Sequence, residues 1–98
     1  MLNEQKGRSC TYDAPRRSAR IDVGPGGGPP REASGSVLLD DVGGVVGVDI
    51  EPDGPARLVV MVGPHEAVSR TLAARLTVSH DASGHLAHVV VFDIDPPR

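Results

Sequence analysis

Aromatic side chains are almost missing. Of 98 residues only Tyr12 and Phe92 carry a benzene ring, and tryptophan is absent. Aromatics supply the largest apolar areas of most cores, so a core here must be assembled from Val, Leu and Ile. A chain of this length is one domain near the lower end of the independently folding range, where the buried fraction of surface is small. Such a chain gains by covering more apolar surface, so homo-oligomerisation or contact with another protein is expected.

Cysteine is equally scarce. Cys10 stands alone, which excludes an intrachain disulfide and suits a reducing compartment. The opening residues MLNEQKGRSC contain no apolar signal-peptide segment. No apolar run approaches the about 20 residues that span a bilayer. A cytoplasmic protein with no membrane partner is the expectation. Lysine occurs once, at Lys6, and the net charge is −3, so there is no general attraction to phosphate. The charge is unevenly spread, +3 over residues 1–31 and −6 over 32–98. A basic arm thus precedes an acidic body. Its densest cluster is Arg16, Arg17 and Arg20. Nucleic-acid binding also needs stacking aromatics or a wide basic face, so these three are candidate contacts for an acidic partner protein, and no nucleic acid is expected.

What the chain does contain is period-two aliphatic spacing. Ala19, Ile21 and Val23 alternate with Arg20 and Asp22, the pattern of a half-buried strand. Ser36–Leu39 and Val45–Ile50 flank Asp40-Asp41-Val42-Gly43-Gly44, where aspartate opens a turn and glycine accepts positive φ. With Asp40 opposite Val45, Leu39 faces Val46, Val37 faces Val48 and Gly47 faces Leu38. Glu51–Pro55 is a turn. Leu58–Val62 is apolar at every position and reads as a strand covered on both faces. Ala74–Ser79 and Leu86–Ile94 form a second hairpin around Asp81-Ala82-Ser83-Gly84. Between them, Pro64 and the helix formers of 65–73 allow one short helix. The expected fold is mainly β: a small antiparallel sheet of about six strands, as a meander, roll or partly closed barrel, with at most one short helix near 64–73. The expected layout is a flexible basic arm at 1–16, a single β-domain at 17–95 containing the loop 24–35, and a tail at 96–98.

The two hairpins look alike. Aligning Asp41 with Asp81 and Gly44 with Gly84 puts their incoming strands out of phase, and a one-residue slip sends every side chain to the other face. Generic hairpin chemistry is therefore the expected reason for the likeness.

All four histidines fall between His65 and His88. His80 and His85, facing each other across the second turn with Asp81 beside them, are the candidate metal ligands, since imidazole and carboxylate suit zinc, nickel or copper. A solvated hairpin tip is the simpler reading, because a structural site needs about four protein ligands. The Gly24–Pro30 segment lacks the Lys-Ser/Thr of a phosphate loop and is interrupted by proline where amide donors are needed; it reads as a spacer. No serine sits in a nucleophile elbow and Cys10 lies in the expected arm, so no catalytic residue is assigned, nor any cofactor. An enzyme or small-ligand binder with a pocket beside Gly47 and His65 is the remaining alternative to a protein-binding role.

The stretch Arg17–Val23, followed by Val37-Leu38-Leu39-Asp40-Asp41-Val42-Gly43-Gly44-Val45-Val46-Gly47-Val48-Asp49-Ile50, resembles an uncharacterised family of short bacterial β-proteins, a domain of unknown function. Its members run from an Asp-rich turn into Gly-x-Val-Gly-(Ile/Val)-(Glu/Asp)-Ile. The resemblance covers residues 17–50. It implies a small β-sheet and, because some members look like partners of ribonuclease-type toxins, a binding role. This chain lacks the family's first-strand tyrosine and inserts the Gly/Pro loop, and the resemblance carries over no site residues.

Overall fold

A computed structural model describes residues 2–51 and 57–94. The described chain forms eight strands: β1 (Leu2–Lys6), β2 (Ser9–Asp13), β3 (Ser18–Asp22), β4 (Arg31–Leu39), β5 (Val45–Ile50), β6 (Arg57–Met61), β7 (Arg70–His80) and β8 (Leu86–Phe92). They make one sheet in the order β1-β6-β5-β4-β7-β8-β3-β2. The mainly β expectation holds, with eight strands where about six were expected. All pairings are antiparallel except β1 with β6. The turn expected after Glu51, and the tail at 96–98, lie outside the described residues.

Two of the strands come from the segment read above as a flexible arm. Residues 2–6 pair with β6 and residues 9–13 pair with β3. An uncovered strand edge exposes a row of unpaired amides and carbonyls, and this segment covers both ends of the sheet. Its periodicity is weak because β2 is largely exposed. The step between the two halves is Gly7-Arg8: Gly7 N–H donates to Met61 O and Arg8 N–H to Asp22 O, each at 2.7 Å. The sheet therefore curls until its two outermost strands are consecutive in the chain, a partly closed barrel. Gly7 is required at this seam. A Cβ there would stand 2.5 Å from the Val62 side chain and 2.9 Å from that of Ile21, atoms from opposite ends of the sheet.

The short helix reduces to a single 3₁₀ turn at His65–Ala67. From Arg70 onward the chain is extended, because β7 pairs with β4 continuously from Leu39↔Arg70 to Arg31↔Val78. That ladder overrides the helix preference of Leu72, Ala73 and Ala74.

The likeness of the hairpins is a two-fold relationship. The alignment that works is Asp40 with Asp81 and Gly43 with Gly84. Val42 and Gly44 amides donate to Asp40 Oδ1; Ser83 and His85 amides donate to Asp81 Oδ1. Gly43 and Gly84 have φ of 86° and 85°, the left-handed conformation that glycine adopts without Cβ strain. Each hairpin carries a register shift one residue before its turn, at Leu38/Leu39 and at Ser79/His80. That shift puts Leu39 opposite Val45 instead of Val46, while Val37↔Val48 and Leu38↔Gly47 are as expected. Even the entry loops correspond: Gly28 N–H donates to His80 O, and Ser69 N–H to Leu39 O. In sheet order β4 matches β7, β5 matches β8 and β6 matches β3, about an axis beside the paired Ser34 and Arg75. The duplication set aside on the sequence is thus present in the fold, and the alignment one residue away had hidden it. The seam breaks the symmetry. A two-fold reverses strand direction, so one continuous strand spanning both ends must lie parallel to one neighbour and antiparallel to the other.

The core fills the concave side. Ile21, Val37, Val48, Val60, Leu76, Val89 and Val91 are fully buried and form one cluster with Leu39, Ile50, Val78, Leu86 and Ile94. Tyr12 caps it, its hydroxyl donating to Ile94 O at 3.0 Å. A smaller cluster of Val46, Val59 and Met61 on the other face is covered by Leu38, Ala67 and Val68.

Candidate functional site

β7 is longer than either neighbour. β4 flanks it from Arg70 to Val78, but β8 pairs only with Leu76–His80. After Phe92 the chain turns away: Asp93 has φ 59°, and the Ile94 amide donates to Arg17 O. Among the described residues, Arg70–Ala74 therefore has a sheet partner on one side only. Beside this edge lies a groove of about 350 Å³ running from Val42 and Gly43 at the first turn to Phe92, Asp93 and Ile94.

Leu72 sits in that groove. It pairs with Val37, which is 1% exposed, so it belongs to a core row; it is nevertheless 46% exposed, because none of the described strands covers it. Val42 is 45% exposed and lines the same groove. These two are the exposed large aliphatic side chains among the described residues. Arg70 and Arg75 are exposed on the rim. The Arg75 guanidinium lies 5.1 Å from the Phe92 ring centroid, a cation–π distance. Asp93 is the acid lining this groove, against two arginines.

The two-fold provides an internal control. The equivalent groove is lined by Arg31, Glu32, Ala33, Ser34, Glu51 and His80, with Ile50, Leu58, Val78 and Leu86 at its apolar floor. Leu72, Ala73, Phe92, Leu39 and Val42 correspond to Arg31, Glu32, Glu51, His80 and Ser83. Five apolar positions on one side are thus polar on the other, on matching backbone.

The residues singled out in the sequence are elsewhere. His80 lies in the second groove, half-buried beneath Gly28 and Pro29. It pairs with Leu86, while His85 is exposed with its Nδ1 3.7 Å from Asp81 Oδ2. The Asp81 Oδ1 lone pairs are taken by backbone amides. Among the described residues no group of three or more His, Cys, Asp or Glu is placed to hold a metal ion. Arg16 pairs with Asp13 in the β2–β3 turn at 3.7 Å, and Arg20 with Asp22 on β3 at 2.9 Å. Gly47 has no open space beside it, since a Cβ there would stand 2.5 Å from Val60 O and 2.7 Å from Met61 Sδ. His65 instead bonds Glu4, Nε2 to Oε1 at 2.7 Å, near an open groove of about 610 Å³ along Glu4–Lys6 and Met61–Pro64. Cys10 is exposed, but its thiol is pushed up, by desolvation first and by Asp22 second, which disfavours a reactive thiolate.

Sequence reasoning missed Leu72 and Val42 because both look like ordinary aliphatic positions, one in a helix-forming run and one in a turn. The available signal was an exposed-looking Val inside a polar turn. Among the described residues no helix is long and apolar enough to cross a membrane. No family model matches the chain, and no curated protein or solved structure matches it significantly.

Proposed function

We propose that this chain is a non-enzymatic binding domain of the cytoplasm that works through protein–protein contact at the Leu72–Val42 groove. One observation carries the reading. The fold accepts Arg31, Glu32 and Glu51 in one groove and Ser83 in its turn, so the architecture does not demand Leu72, Ala73, Phe92 and Val42 at the matching places around the other. Apolar side chains held at an exposed mouth without structural need mark a contact surface. The unpaired edge of β7 adds backbone donors and acceptors for an added strand. The single cysteine, without an intrachain partner, suits a reducing compartment.

The test is the assembly state of the protein from its native source, compared with a Leu72→Ser/Val42→Ser variant. Wild type should sediment as a complex or oligomer above 10.2 kDa, and the variant as a folded monomer with its melting temperature little changed. Wild type and variant both running as monomers would sink the reading.

A further inference from the structure

We infer that the groove takes an extended segment of another protein, added as a strand antiparallel to Arg70–Ala74, with an aliphatic side chain against Leu72 and carboxylates reaching Arg70 and Arg75. This rests on the binding role proposed above and adds the chemistry of the ligand.

Direction follows from the fold. β8 occupies the place beside Leu76–His80, antiparallel to β7, and leaves it at Asp93. A guest strand continues along the vacated line with the same polarity, where the narrow and wide hydrogen-bond pairs of the existing ladder carry on. Ala73 and Ala74 line the groove and leave room for a backbone to approach.

Side-chain pattern follows from the pleat. Arg70, Leu72 and Ala74 share the concave face, whereas Thr71, Ala73 and Arg75 share the other. A guest residue opposite Leu72 should be aliphatic. The residue two further on, opposite Arg70, should be acidic. The residue just before the aliphatic one lies opposite Ala73, diagonal to Arg75 and within reach of its long side chain. The expected motif is acid–aliphatic–any–acid. Charge decides between this guest and a second copy. Pairing two copies edge to edge gathers four guanidiniums along one short ladder, and like charges in such a ladder repel. Among the described residues neither Arg70 nor Arg75 has a carboxylate partner, and Arg75 lies over the Phe92 ring at the groove's edge.

The experiment titrates the full chain into a fluorescein-labelled peptide Thr-Glu-Val-Thr-Glu-Val and follows polarisation. A peptide with both Glu replaced by Lys is the comparison. The acidic peptide should bind at least tenfold more tightly, weaken with added salt, and lose that advantage against Arg70→Glu/Arg75→Glu. That variant should in turn favour the Lys peptide. Both substitutions lie on exposed side chains, and an unchanged melting curve verifies the fold. Equal binding of the two peptides, or a preference that survives charge reversal, overturns the inference. Absence of peptide binding together with Leu72-dependent self-association also overturns it, while leaving the groove as a contact surface. Absence of both removes the proposed function as well.

Discussion

Asp40 and Asp81 are two-fold equivalents that close their turns in the same way. The two Oδ1 atoms accept amides at 3.1 and 2.7 Å on one side and at 2.9 and 3.0 Å on the other. In both turns the aspartate amide donates back across the turn, to Gly44 O and to His85 O at 2.9 Å. Each carboxylate fixes a left-handed glycine and the register shift before it, which in turn decides which side chains face the core.

Asp40→Ala removes an acceptor for two amides and should lower unfolding free energy by about 1–2 kcal/mol, measured by urea denaturation. A larger loss with a changed denaturant slope would mean that the first hairpin itself had come apart.

Asp81 adds a pH dependence. Its carboxyl is held below the ordinary value of 3.8, chiefly by the His85 amide and also by the Ser83 amide. A pKa depressed in the folded state contributes stability above the unfolded value, and loses it as pH falls through the folded value. Asp81→Asn should therefore flatten the acid limb of the melting-temperature profile below pH 3.8. Parallel acid limbs for the two proteins would show that the carboxylate charge is not what holds the turn.

Gly47→Ala should destabilise by about 1–3 kcal/mol, because the new methyl meets backbone Val60 O and Met61 Sδ. Gly63→Ala, whose methyl meets only Val46 at 3.4 Å, should cost clearly less. Equal melting temperatures for the two variants would refute the close approach at Gly47.

Ser79 is fully buried and its hydroxyl has no hydrogen-bond partner among the described residues. An unsatisfied buried hydroxyl is a cost, so Ser79→Ala should be neutral or stabilising by up to about 1 kcal/mol. Its two-fold equivalent is Leu38, which packs on the Val46–Met61 cluster. Ser79 pairs instead with His88, against whose ring Gly27 of the loop lies close. A clear loss of stability in Ser79→Ala would reveal a partner for the hydroxyl.

Desolvation first and the Arg20 charge second disfavour the protonated form of His88, with Asp22 opposing. Its folded pKa lies below the ordinary 6.5, so the unfolded chain binds the proton more readily and stability falls as pH drops from about 6.5 through the folded value. His88→Gln should remove that part of the slope. Proton NMR titration showing His88 at or above 6.5 would refute it.

Local chemistry made much of the fold legible. Alternating Ala19, Ile21 and Val23 and the Asp-to-Gly turns depend on neighbours a few residues away and appear where expected, whereas the loop expected over 24–35 ends at Pro30, because residues 31–35 pair with β7 as the start of β4. The arm was misread, whereas the one short helix allowed near 64–73 is present as the 3₁₀ turn at His65–Ala67. Residues 2–13 and 70–75 take their conformation from strands distant in the chain, and the side chains of 4–6, 8–13 and 70–75 are exposed or only half-buried, with little periodicity to announce a strand. The candidate site was harder still. His80, His85 and Asp81 are close in sequence, but the turn spends the carboxylate on backbone amides. Leu72, Val42 and Phe92 are far apart in sequence, and only the departure of β8 at Asp93 brings them to one groove.

The sequence by itself determined that this protein would be built of strands, because period-two aliphatic spacing buries one face only in a pleated ladder, and it determined where the two tight turns fall. Tertiary structure alone decided the seam at Gly7-Arg8, the two-fold about Ser34 and Arg75, and the open edge at Arg70–Ala74. Those features depend on which ladder lies beside which, and strand order is a non-local property that no run of neighbouring residues encodes.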